Sequence, residues 1–214
     1  MTLFKTLLIC HIACGGTGLI FGLYILLTKK GNKNHKRFGN IYYYAMLATA
    51  LLALVMTCIN PSYFLFITGV FTAYMLMSGK RYLQKNSISK VRVLDWVLTL
   101  AMAIFGSAFI AFGTYNLIRS NFFGIVLIVF GSISFLFVYQ DYINFKGRSS
   151  VKNYWLATHL QRMIGSYIAA ATAFLVVNNT LLPGVIAWLL PTFLLVPLII
   201  KWSRKYEVKL NVTK

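Results

Sequence analysis

Seven apolar runs, each close to the length that crosses a bilayer, follow one another with only short polar breaks between them. They lie near residues 7–28, 39–58, 62–79, 93–117, 121–142, 153–178 and 182–201. A hydrocarbon core of ~30 Å needs about 20 such residues in a helix. In lipid, every backbone N–H and C=O must find its partner within the segment or in a closed barrel. The chain is therefore expected to be an all-α integral membrane protein, a single bundle of seven transmembrane helices over residues 1–201 with a basic tail over 202–214. Composition agrees, with 59% hydrophobic and 11% charged residues and a mean hydropathy of +0.73.

The breaks carry the charge. Of the 21 Lys and Arg, all but Lys5, Arg119 and Arg162 fall in the first, third and fifth breaks or in the tail with Lys201 at its border. Positive loops stay on the cytoplasmic side, so the amino terminus is expected outside and the carboxy terminus in the cytoplasm, in a bacterial inner membrane. The net charge of +18 is then a topology signal, and nucleic acid is not an expected partner. Tyr42, Tyr43, Trp96, Tyr142, Tyr154, Trp155 and Trp202 fall at the expected inner ends, where aromatic belts sit.

The first run continues past Gly22 into a basic stop and shows no small-residue cleavage site, so it reads as a span and not as a signal peptide. Cys10, Cys14 and Cys58 sit in apolar settings and read as small core residues, with a Cys10–Cys58 bridge as the alternative. Small residues recur at helical spacing: Cys14, Gly15, Gly18 and Gly22, then Gly69 with Ala73, Gly106 with Gly113, Gly124 with Gly131, and Gly165 with Ala169. Such faces allow the close backbone approach that joins helices in lipid. There is no internal repeat of the transporter kind.

Polar residues inside the runs are the functional candidates. His11 shares a face with Gly15 and Gly18 and is expected to point into the bundle near the outer leaflet, held by a neighbouring carbonyl or serving a cofactor. His159 and Arg162 enter the sixth run from the inner side. Asp95 begins a helix, where the dipole already favours an anion, whereas Asp141 ends one and wants a cation such as Arg162. His35 reads as a loop residue just before the second helix. Together His35, Asp141, His159 and Arg162 are expected to line an inner-leaflet cavity suited to a quinone oxygen, a carboxylate or an anionic head group.

Haem or quinone are the cofactors to weigh. One haem bridging His11 and His159 is disfavoured, since their depths differ by about 15 Å. No protein metal site is expected, because a zinc site wants three converging ligands. Retinal is disfavoured, since the last run has no lysine before Lys201 at its very end.

These residues also carry a resemblance. His11 in a glycine-rich first helix, "HKRFGN" from His35 to Asn40 and "HLQRMIGSY" from His159 to Tyr167 look like a family of uncharacterised bacterial membrane proteins, a domain of unknown function. Its members similarly show histidine with glycine four residues on, and later histidine, methionine and a Ser-Tyr pair. They usually place arginine just before that pair, where this chain has Gly165 and carries Arg162 instead. The resemblance supports the choice of residues and implies no reaction. Three functions follow as expectations: binding of a redox cofactor, quinone or anionic amphiphile; a small transporter or channel; and a structural membrane subunit.

Overall fold

A computed structural model describes residues 3–85 and 90–206. Seven helices occupy them: α1 (Leu3–Leu27), α2 (Lys33–Ile59), α3 (Tyr63–Tyr82), α4 (Val93–Ile118), α5 (Phe123–Phe145), α6 (Tyr154–Asn178) and α7 (Gly184–Tyr206). Each apolar run of the sequence lies within or largely within one helix. Six are long and apolar enough to cross a membrane, all but α3. Large apolar side chains such as Ile20, Leu100, Ile104 and Phe193 stay exposed on them. Faces of that kind belong in lipid, and the fold is that of a multi-pass helical membrane protein.

Helix ends are set by local chemistry beyond the apolar runs. Asn32 caps α2 by accepting from the His35 N–H at 2.7 Å, so α2 starts six residues before the apolar pattern does and His35 lies in its first turn, not in a loop. Lys30 folds back on α1 and donates from Nζ to the carbonyls of Ile25, Leu26 and Thr28, which the helix end leaves without intrahelical partners. Past α5, Gly147 takes a positive φ of 67° while Arg148 N–H bonds Ile143 O and Gly147 N–H bonds Asn144 O, the paired pattern that closes a helix C-terminus. α7 continues to Tyr206 with Pro191 and Pro197 inside it. The rest of the basic tail, 207–214, lies outside the described residues.

The described residues form two compact units, 3–77 with 162–200 and 78–161 with 201–206. In the first unit α3 is the central helix. It meets α2 where Gly69 faces Leu54 and the Ala50 carbonyl, α6 where Met75 meets Gly165, and α7 through an edge-on contact of Phe64 with Trp188. Residues 67–76 are buried without a break. A helix enclosed by protein does not need the all-round apolar surface that lipid demands, which fits the absence of α3 from the helices long and apolar enough to cross. The glycine face of α1 packs here too, with Gly18 against Met46 and Gly22 against the Tyr42 and Tyr167 rings.

In the second unit α4 and α5 form a tight hairpin. A Cβ on Gly113 would meet the Gly124 carbonyl, one on Gly124 the Gly113 carbonyl, and one on Gly131 the Gly106 carbonyl. The two backbones are in direct contact, so the glycine spacing read from the sequence does pair these helices.

Candidate functional site

The first unit contains a cavity of about 480 Å³ among α1, α2, α3 and α6. Its walls are mostly alanine, glycine, leucine, methionine and phenylalanine, and no carboxylate lines it. His11 lines it, placed by the same α1 face that carries Gly15 and Gly18. Its Nδ1 lies 3.0 Å from the Thr49 carbonyl oxygen on α2. A carbonyl only accepts, so Nδ1 carries the hydrogen, and Nε2 of the neutral ring holds a lone pair. In an apolar cavity without a counter-charge the neutral ring is the favoured form.

The other polar groups of the cavity come from residues the sequence pattern did not single out. Thr49 donates its hydroxyl hydrogen to Ala45 O at 2.9 Å, and Thr68 donates to Phe64 O at 2.8 Å. Both therefore present oxygen lone pairs. Ser62 accepts from the Leu65 N–H at 3.3 Å, and Thr72 lies one turn beyond Thr68 on the same face of α3. Ser62, Thr68, Gly69 and Thr72 at helical spacing were the legible signal.

The remaining candidates have other surroundings. His35, in the same unit as His11, is roughly 20 Å from Thr49 along α2 at 1.5 Å per residue, so the two histidines do not share one site or one iron. Arg162 is fully buried with its guanidinium 5.1 Å from the centre of the Tyr74 ring, a cation–π placement. Tyr42 Oη bonds Ser166 Oγ at 2.7 Å, and Ser166 in turn donates to Met163 O at 2.8 Å. Tyr167 fills the space left by Gly22. Much of the "HLQRMIGSY" stretch thus ties α6 to α1, α2 and α3.

Asp141 and His159 belong to the second unit. Asp141 Oδ1 accepts from Tyr82 Oη at 2.7 Å, and Oδ2 lies 2.9 Å from Thr99 Oγ1. Thr99 has one hydrogen and a second acceptor, Asp95 O, at 3.0 Å. Asn144 extends the chain to Tyr82 Oη and Thr158 Oγ1. His159 Nδ1 is 2.9 Å from Gly79 O, so it too donates to a carbonyl.

Asp95, for which the helix dipole seemed reason enough, gathers an ion cluster in this unit. Arg81 reaches it with two nitrogens, at 2.6 and 3.0 Å, and Lys85 Nζ at 2.8 Å, while Arg92 N–H completes the set at 2.8 Å. Lys85 is 1% exposed and lies over the Tyr82 ring at 4.2 Å. Burial holds its ammonium below the usual lysine range, with Asp95 opposing that shift. The spacing of Arg81 and Lys85, four residues apart at the end of a helix, was the available sequence signal for this cluster.

All three cysteines are free thiols. Fold and cavity together define a multi-pass helical membrane protein with a histidine-lined apolar cavity. Comparison with protein-family models, with curated proteins and with solved structures finds no match.

Proposed function

We propose that the chain is a bacterial cytoplasmic-membrane protein that takes a lipophilic small molecule with a polar head from the bilayer into the α1, α2, α3 and α6 cavity. A quinone-type redox lipid is the leading ligand. All seven helices cross in this reading, with the amino terminus outside and the carboxy terminus in the cytoplasm, as the distribution of Lys and Arg supports. The cavity then opens in the outer half of the membrane.

The observation that carries the reading is the His11 tether. An imidazole whose Nδ1–H is fixed on a backbone carbonyl has its tautomer and ring plane set, which leaves Nε2 as the recognition atom. The surrounding wall is apolar and the volume is in the range of small-molecule sites, roughly 300–1,000 Å³. Exposed Ile12, Phe174 and Val177 on the cavity rim supply an apolar path from lipid.

The test is gentle purification, an absorption scan and mass spectrometry of extracted lipids. Wild-type protein should retain a lipophile at near-stoichiometric level, and His11→Leu should retain clearly less of it while keeping its melting temperature within a few degrees. Equal lipid content in the two proteins, or none in either, overturns the reading.

A further inference from the structure

The roles of the hydrogens in this cavity select the chemistry of the ligand's head. We propose that the cavity recognises a hydroxyl head that donates a hydrogen bond, as a hydroquinone or a long-chain alcohol does, in preference to a carbonyl head. This rests on the ligand-binding reading above and narrows it.

His11 donates Nδ1–H to Thr49 O, so its Nε2 is an acceptor. Thr49 Oγ1 has given its hydrogen to Ala45 O, and Thr68 Oγ1 has given its hydrogen to Phe64 O. Three of the polar groups lining the cavity are thereby fixed as acceptors. A quinone carbonyl placed against His11 would set lone pair against lone pair. A hydroxyl in the same place donates to Nε2, and its own oxygen stays available as an acceptor. Leaving a buried acceptor unsatisfied costs about 1–3 kcal/mol, so the selection is strong enough to measure.

The experiment uses the full chain in lipid nanodiscs, titrated with three probes of matched tail: a short-prenyl hydroquinone kept reduced, its oxidised quinone, and the corresponding prenyl alcohol. The hydroquinone should bind at least about 5-fold tighter than the quinone, given a net worth near 1 kcal/mol for one hydrogen bond. In His11→Phe, which keeps the ring volume without the nitrogens, the ratio should fall to within about 2-fold. Ala173→Phe, which fills the cavity and leaves His11 in place, should abolish binding of all three and covers the case in which His11→Phe fails to fold.

Alcohol binding equal to that of the hydroquinone assigns the site to hydroxyl lipids in general and supports the proposal. Alcohol binding as weak as that of the quinone overturns the proposal, because the alcohol carries the same donating hydroxyl. Quinone binding as tight as hydroquinone, or tighter, overturns the donor selection while leaving the cavity as a lipid site. Absence of binding by every probe removes both readings.

Discussion

Single glycines in this chain differ in what they do, and the difference is measurable. Gly39, which belongs to the His-x-x-x-Gly stretch shared with the resembled family, has nothing within 4 Å of where a Cβ would stand. Gly39→Ala should therefore stabilise α2, by about 0.5–1 kcal/mol from helix propensity alone. Gly124, which no functional motif includes, lies against the Gly113 backbone. Gly124→Ala should cost about 1–3 kcal/mol, as overpacking does, and thermal unfolding in detergent would separate the two variants. If Gly39→Ala instead weakens the protein, that glycine faces something other than the described residues. At this scale the sequence was legible for type and not for partner. The α1 glycines and His11 follow from helical spacing, but nothing local in the chain links His11 to Thr49, thirty-eight positions away. The same holds for Tyr82 with Asp141.

Elements show which of two neighbouring charges matters more. Asp95, at the start of α4, accepts from Arg81, Lys85 and the Arg92 backbone. Asp95→Asn leaves a buried ammonium and a guanidinium without their carboxylate and should cost on the order of 3 kcal/mol. Lys85→Met should cost less, because Asp95 retains Arg81 and the backbone N–H. The pH dependence follows from the lowered Lys85 value. The folded protein releases this proton at lower pH than the unfolded chain, so the unfolded state holds more protons in between and stability rises as pH climbs toward about 10.4. Denaturant midpoints taken over that range should rise more steeply for wild type than for Lys85→Met. Parallel slopes would mean that Lys85 titrates alike in both states. α3 was legible as a helix from its apolar run. Its central place was not, because enclosure by α2, α6 and α7 is a tertiary fact, and a helix outside the six long and apolar enough to cross reads equally well as a weak span.

For the whole molecule, the decisive question is whether α3 crosses. If it does, Asn60 and Lys90 lie on opposite faces of the membrane, and the basic first, third and fifth breaks share one face. Periplasmic reporters fused after Asn60 and Arg119 should then be active. Fusions after Gly31, Lys90 and Arg148 should be inactive, and a carboxy-terminal fluorescent protein should mature. Activity on the same side for Asn60 and Lys90 would reduce the count to six and reverse the orientation of everything that follows. The number of helices was readable because each apolar run stands alone. Grouping into two units was not, since α3, α6 and α7 each contribute residues to both.

The Asp95 cluster also bears on how the chain is made. Arg81 and Asp95 are 14 positions apart, whereas Tyr42 and Ser166 are separated by 124. Synthesis runs from the amino terminus, and early segments settle before late ones exist. The carboxylate of α4 thus has its guanidinium within reach as soon as that helix is released, so it need not enter lipid as an uncompensated charge. The lock between α2 and α6 waits until six helices are present. A ribosome-stalled chain ending after α5 should already protect the second unit's ion cluster, while the first unit's aromatic centre still lacks Tyr167 and its closing hydrogen bond.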